Sequence, residues 1–450
     1  MKASLVHKYN KAVPRYTSYP PVPEWNNKLN QQAEWLQILG EDIRSAAGEG
    51  ISLYIHLPFC ESLCTYCGCN KRITQRHEME QPYVEAIKKE WDIYLQAFDF
   101  IPKIKYLHLG GGTPTFFSAE NLKSLIKYIL SGSRIAENHA FSFEGHPNNT
   151  THRQLQTLFD LGFDRVSYGV QDFNLEVQKA IHRVQPTENV EHVVNWARAI
   201  GYKSVNFDLV YGLPFQTSAT IADTIIRVKE FKPERIALYS YAHVPWVSRS
   251  QRGYDERHLP SPEEKLLFYQ HAKDQLINAG YVQIGMDHFA LPEDELSIAK
   301  RNGTLNRNFM GYTVDNCSQM IGLGCSAISS ATHGFVQNEK RVETYQEAIM
   351  DGVLPIIKSH HLNRTEVAVS EIINGLICNY NFDFSQRIAL FDNAFEQLNV
   401  FREDGLIEMD GYLLAVTEKG KLFIRNICAA FDPFMTAHQK QSKQIFSQSV

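Results

Sequence analysis

The chain has 450 residues, 44% hydrophobic and 21% charged, with a net charge of −5 at neutral pH. That length exceeds what a single hydrophobic core usually supports, so one large domain with at least one appendage is expected. The mild negative charge offers nucleic acid no electrostatic footprint. No run of about 18 apolar residues marks a membrane span, and the N-terminus lacks the pattern of a secretory signal, so a cytoplasmic location is expected.

Residues 1–49 read as a Pro- and Tyr-rich arm laid over the adjoining domain. Between 50 and 290, short apolar segments at 51–57, 104–110, 140–145, 165–170, 204–212, 235–241 and 281–286 read as strands. Most are separated by longer stretches with apolar residues at helical spacing, such as 82–98 and 219–232. This alternation predicts an α/β fold: a parallel sheet with covering helices, arranged as a TIM-like (β/α) barrel, full or partial. Ligands of such folds sit at the C-terminal ends of the strands. Residues 291–359 are mixed and Gly-rich, an extension linking the barrel to the C-terminal region. From 360 to 450, helical stretches, a β-ribbon and a further helix predict a smaller, mostly helical, winged-helix-like domain. It reads as a cap over the active site, because no basic recognition face accompanies it.

Four of the eight cysteines, Cys60, Cys64, Cys67 and Cys69, fall within ten residues, just after the first predicted strand. The other four, Cys317, Cys325, Cys378 and Cys428, are scattered and read as small buried hydrophobes. The C-x3-C-x2-C spacing of Cys60, Cys64 and Cys67 puts three thiolates on one loop. Thiolates are the usual ligands of iron–sulfur clusters. Three of them on a [4Fe–4S] cube leave one iron without a protein ligand, free to chelate the amino and carboxylate groups of S-adenosylmethionine (SAM). A structural zinc site would need four closed ligands in paired C-x2-C knuckles, and the chain has no second knuckle or H-x3-H downstream. The segment LHLGGGTPT (107–115) also comes directly after a strand. Its glycines let backbone groups approach a ligand closely. The Thr-Pro-Thr after them, in place of a Lys, argues against a phosphate cradle. Glu144, Gln171, Asp172 and Asp208 are polar residues at or near predicted strand ends. For each alone, a satisfied structural role and a ligand role stand level.

On these residues the chain resembles the oxygen-independent coproporphyrinogen III oxidases, radical enzymes of haem biosynthesis. The resemblance runs nearly end to end: KYNKAVPRYTSYP (8–20), PFCESLCTYCGCNK (58–71), GGGTPT (110–115), GVQDFNLEVQ (169–178), DLVYGLP (208–214), YAHVP (241–245), GMDHFA (285–290), NRNFMGYT (306–313), GCSAIS (324–329) and RNICAAFD (425–432). It implies a [4Fe–4S] cluster on Cys60, Cys64 and Cys67 and two SAM molecules. Tyr54, Gly111, Glu144 and Ile328 would hold the cluster-bound SAM. Tyr66, Gly112, Thr113, Gln171, Arg183, Asp208 and Ala242 would hold the second. Cys69 matches a family cysteine that is important for catalysis without being a cluster ligand. The implied reaction is oxidative decarboxylation of two propionates of coproporphyrinogen III to vinyl groups, giving protoporphyrinogen IX. The implied partners are a tetrapyrrole substrate and an electron donor such as flavodoxin or ferredoxin, and the expected state is a monomer. Arg15 and Arg307 are candidates for the substrate's carboxylates.

Two stretches depart from the family pattern. Glu144-Gly145-His146-Pro147 stands where the family commonly reads Glu-Val-Asp-Pro, and Gln319 replaces an acidic residue. They leave open a related two-SAM enzyme, a methyltransferase or cyclopropanase, acting on another substrate. A haem-binding relative is disfavoured by the presence of Cys69 and of Arg-Tyr-Thr-Ser-Tyr-Pro in the arm.

Overall fold

The computed structural model describes residues 3–28, 32–46, 48–246, 248–438 and 446–449. Its main sheet has twelve strands: β1 (Ile51–Leu57), β2 (Lys103–Gly111), β3 (Arg134–Gly145), β4 (Phe163–Gln171), β5 (Ser204–Tyr211), β6 (Arg235–Ser240), β7 (Val282–Gln283), β8 (His288–Ala290), β9 (Met320–Leu323), β10 (Ile328–Ala331), β11 (Gly334–Asn338) and β12 (Ile356–His361). The order is β12-β11-β10-β9-β1-β2-β3-β4-β5-β6-β8-β7. Pairing is parallel from β9 through β1 to β6 and antiparallel at both flanks. The strand order is open at its ends, with antiparallel strands on both flanks. The strand expected at 281–286 shrinks to Val282–Gln283, because the chain turns back there to pair with His288–Ala290. The segment 291–359, without clear periodicity in the sequence, contributes β9, β10, β11 and part of β12 to the same sheet.

Strand residues alternate between two faces. Leu53, Ile55, Leu57, Leu107, Phe141 and Phe207 pack into the core beneath the helices. The intervening positions, among them Ser52, His108, Ser142, Ser167 and Asn206, line a polar lumen of about 190 Å³. The covering helices start where the sequence supplies caps. Ser118 Oγ accepts from the Asn121 N–H at 3.2 Å, directly after the glycine motif. Thr151, Thr217 and Ser261 each open a helix with a reciprocal capping box.

A second core is built from the helices Arg364–Asn379 and Ile388–Glu403, a three-stranded ribbon and the helix Ile424–Ala429. The first part of the arm belongs to this core, where Leu5, Tyr9, Tyr16 and Tyr19 pack, while its helix Gln32–Ser45 sets Trp35 and Leu39 into the barrel core. Asp432 accepts from the Tyr16 and Tyr19 hydroxyls at 2.9 and 3.3 Å. Further along, Trp25 stacks on Phe335 of β11. Cys378 and Cys428 are buried as expected of small hydrophobes, and so is Cys325, while Cys317 is half-buried.

Candidate active site

The parallel register brings successive strand ends into one row. Leu57 pairs with Gly111, Glu144 with Ser167 and Gly169 with Asp208. The cysteine loop leaves the end of β1 and lies against that row. Two glycines permit this approach. Gly111 has φ +119°, and a Cβ there would sit 2.8 Å from the His56 ring. A Cβ on Gly112 would sit 2.4 Å from the Pro58 carbonyl oxygen.

Cys60, Cys64 and Cys67 line a cavity of about 470 Å³ at this end of the barrel. Cys60 Sγ lies 3.3 Å from Thr113 Oγ1, and Arg183 Nη1 lies 3.6 Å from Cys64 Sγ. Arg183 also donates to the Gly169 carbonyl at 2.6 Å, while its Nε has no acceptor among the described residues. Burial pushes the Cys60 thiol up to about 11. The hydrogen bond from Cys69 pulls Cys67 down to about 6 and raises Cys69 in return. Lys71 Nζ ties the loop by donating to the Cys67 and Cys69 carbonyls at 3.1 and 3.4 Å.

A second cavity, of about 620 Å³, adjoins the first. The two share Gly68, Cys69, Gly111 and Glu144 as a wall. Tyr54 and Ile328 line the second cavity only, whereas Tyr66, Gly112, Thr113, Gln171, Arg183, Asp208 and Ala242 line the first only. Thus the residues expected to hold the cluster and the two SAM molecules line two adjoining cavities at one end of the barrel. Glu144 Oε2 accepts from the Gly111 N–H at 3.3 Å, and its Oε1 lies 3.5 Å from His108 Nε2. Asp208 accepts from Ser167 Oγ and Asn206 Nδ2, both at 2.9 Å. Burial, with the Glu144 carboxylate adding to it, still pushes Asp208 up to about 6. Asp172 falls outside the site. It is buried behind β4 and accepts from the Asn174 N–H, Gln216 and Thr224, a structural role.

A model of the Radical SAM superfamily matches residues 54–228. Relatives named oxygen-independent coproporphyrinogen III oxidase are similar over nearly the whole chain. The one from Synechocystis sp. is 36% identical over 466 residues, covering 100% of this chain and 98% of its own. The one from Escherichia coli is 37% identical over 456 residues, covering 99% and 98%. The solved structure of coproporphyrinogen III oxidase from Escherichia coli, itself a radical SAM enzyme, matches with a TM-score of 0.88 at 36% identity, covering 94% of this chain and 100% of that one.

This chain belongs to the oxygen-independent coproporphyrinogen III oxidase family. It is a radical SAM enzyme, and membership implies a [4Fe–4S] cluster and SAM. The residues fit that pair. The donor set is three sulfurs on one loop facing a roomy cavity, with a buried guanidinium N–H left unpartnered beside them. Among the described residues, no three Cys, His, Asp or Glu side chains gather as they would around a single ion. A cube needs no such gathering, since each thiolate takes a different iron.

Of the departing residues, Gly145 and His146 line the cysteine cavity and Gln319 does not. Gln319 is buried at the base of β1, where its carbonyl accepts from the Ser52 N–H. At Gly145 the Tyr168 ring and Thr150 Oγ1 occupy the space a side chain would take, at 2.9 and 3.0 Å from an added Cβ. His146 lines the cysteine cavity, and burial with the nearby Arg183 charge keeps its imidazole neutral.

Sequence reasoning missed His56 and Gln251. The carbonyl of Asn70 can only accept, so His56 Nε2–H donates to it at 3.0 Å, leaving Nδ1 to accept from the Tyr54 hydroxyl at 3.0 Å. His56 thereby ties the cysteine loop to β1. Gln251 Nε2 donates to the Tyr66 and Ala242 carbonyls, both at 3.1 Å, joining that loop to the end of β6. An alternating strand gave the one signal for His56: a polar residue facing the lumen. Gln251 lies in an irregular loop without any.

Proposed function

We propose that this chain converts two propionate arms of coproporphyrinogen III to vinyl groups, giving protoporphyrinogen IX for haem biosynthesis, with two SAM molecules in the two adjoining cavities. The observation that carries the reading is their shared wall of Gly68, Cys69, Gly111 and Glu144, which sets two ligand-sized spaces side by side against one cysteine loop. Cys60, Cys64 and Cys67 would hold the cluster. Tyr54, Gly111, Glu144 and Ile328 would hold the SAM on its open iron, and Tyr66, Gly112, Thr113, Gln171, Arg183, Asp208 and Ala242 the second.

When bound, the cluster and SAM supply one-electron cleavage of a sulfonium and so a radical that abstracts hydrogen. The chain's residues bind, orient and exclude. Glu144 presents carboxylate oxygens to an ammonium group, and Arg183 presents its free Nε–H to an acceptor. Asp208, at about 6, sits poised between acceptor and donor near neutral pH. Cys69 stands in the dividing wall, where both spaces reach it. A propionate that loses one β-hydrogen atom, CO2 and one electron becomes a vinyl group, the electron leaving to an external acceptor. We place the reduction of the cluster with a flavodoxin or ferredoxin and read the enzyme as a cytoplasmic monomer. No helix among the described residues is long and apolar enough to cross a membrane.

Equilibrium binding of SAM to the cluster-reconstituted protein tests the two-cavity reading. Two molecules per chain are expected, falling to one in Arg183→Met. A single molecule per chain in the unaltered protein overturns it.

A further inference from the structure

Beside the cysteine cavity lies a smaller one of about 80 Å³, bounded by β6, the arm and the helix Ile424–Ala429. Arg15 and Ser240 line both, so the two adjoin. The small cavity has room for a short side arm and none for a macrocycle. Three guanidinium groups line it: Arg15, Arg307 and Arg425. Among the described residues, none of the three has a carboxylate within ion-pair distance; Asp287, the acidic residue of the lining, is paired with His288 at 2.6 Å and lies near enough to Arg307 and Arg15 to be held low by them too, one negative charge against three positive ones.

The hydrogen bonding of the three differs. Arg425 is spent on the backbone, donating to the Pro14 and Gln448 carbonyls at 3.0 Å each and also to Val13 and Ser447. Its charge remains uncompensated: burial, with Arg15 and Arg307 nearby, pulls it down to about 9. Arg15 uses one N–H on the Ser240 carbonyl at 2.7 Å. Arg307 lies over the Tyr312 ring at 4.7 Å, which fixes its plane. Among the described residues, its buried Nε and Nη1 have no acceptor. Buried N–H groups are almost always satisfied, and an unpaired one is costly. A buried group of like charges with unused, co-planar donors is the arrangement that receives a carboxylate.

We propose that this cavity is a carboxylate subsite that takes one propionate arm of the tetrapyrrole, held by Arg307 and Arg15 while the macrocycle stays on the side of the cysteine cavity. The inference rests on the tetrapyrrole reading above. It gives the arm a chemical purpose, since Arg425 holds the arm's carbonyls and Arg15 brings the arm's charge to the join between the cavities.

Fluorescence titration of the full chain with coproporphyrin III, which carries four carboxylates, tests the proposal against the uncharged tetramethyl ester. Arg307→Gln is expected to weaken the acid roughly ten- to a hundredfold. Binding of the ester and of SAM should stay unchanged. A merely structural Arg307 would weaken acid and ester together. Arg15→Gln, which gives up a single backbone hydrogen bond, carries the same expectation should the Arg307 variant not fold. Unaltered protein that binds the acid while both variants bind it equally well overturns the subsite and leaves the tetrapyrrole reading standing. Unaltered protein that binds no coproporphyrin III overturns both.

Discussion

At the scale of single residues, the four cysteines of one loop have two kinds of work. Cys60, Cys64 and Cys67 line the cysteine cavity alone, while Cys69 lines both cavities and hydrogen-bonds Cys67. On the proposed assignment, serine at 60, 64 or 67 removes a cluster thiolate, so each variant should lose its iron and its visible absorbance after reconstitution. Cys69→Ser should keep both and lose turnover. Iron and sulfide analysis alongside activity checks the division; a Cys69→Ser protein without iron would make Cys69 a ligand. The cysteine loop and the glycines were legible in the sequence because their chemistry is local, fixed by spacing within a few residues. Arg183 came only with the family resemblance, while Asp208 stood out as a carboxylate in an apolar strand whose role the sequence left open. His56 gave only the faint signal of a polar residue in an apolar strand, and Gln251 and the spent donors of Arg425 gave none, since Tyr66, Val13 and Pro14 lie far from them in the chain.

At the scale of elements, β1 to β6 were readable because parallel strands buried against helices are short apolar runs. β9 to β12 were not, because their mixed, Gly-rich segment carries no periodicity, and its pairing with β1 is a tertiary choice. One buried group shows what fastens this part of the sheet. Glu90, on the helix Glu80–Ala97, accepts from the Gly324 N–H, Asn338 Nδ2 and the Tyr345 hydroxyl at 2.8, 2.6 and 2.6 Å. Burial nonetheless raises its carboxyl to about 7. A carboxyl raised on folding contributes stability that is fully present below the unfolded value, near 4.5, and is lost as pH rises through 7. The loss should amount to about 3 kcal/mol. Urea midpoints across pH 4.5–7 should therefore fall for the unaltered protein and flatten in Glu90→Gln, which starts lower for want of an acceptor; equal slopes would remove Glu90 as the cause.

At the scale of the whole molecule, the first part of the arm shares one core with the C-terminal domain, while its helix Gln32–Ser45 packs on the barrel. The composition of the arm marked it as a separate element, but its place within the second core depends on Tyr16, Tyr19 and Asp432, some four hundred residues apart. Arg425→Met leaves the carbonyls of Val13, Pro14 and Gln448 without their Arg425 donor, while Ser447 keeps the Val13 N–H. It should cost roughly 3 kcal/mol. Limited proteolysis should then cut the arm well before the barrel; an arm as resistant as in the unaltered protein would show that the tyrosines alone hold it.

Anaerobic turnover of the reconstituted protein with SAM, a reductant and coproporphyrinogen III, read by mass spectrometry, bears most directly on the proposed reaction. Two successive losses of formic-acid mass (CO2 plus two hydrogens), with 5′-deoxyadenosine formed, are the predicted result. 5′-Deoxyadenosine beside an intact porphyrinogen would contradict the substrate, with Gly145 and His146, the departures that line the cysteine cavity, the first residues to revert.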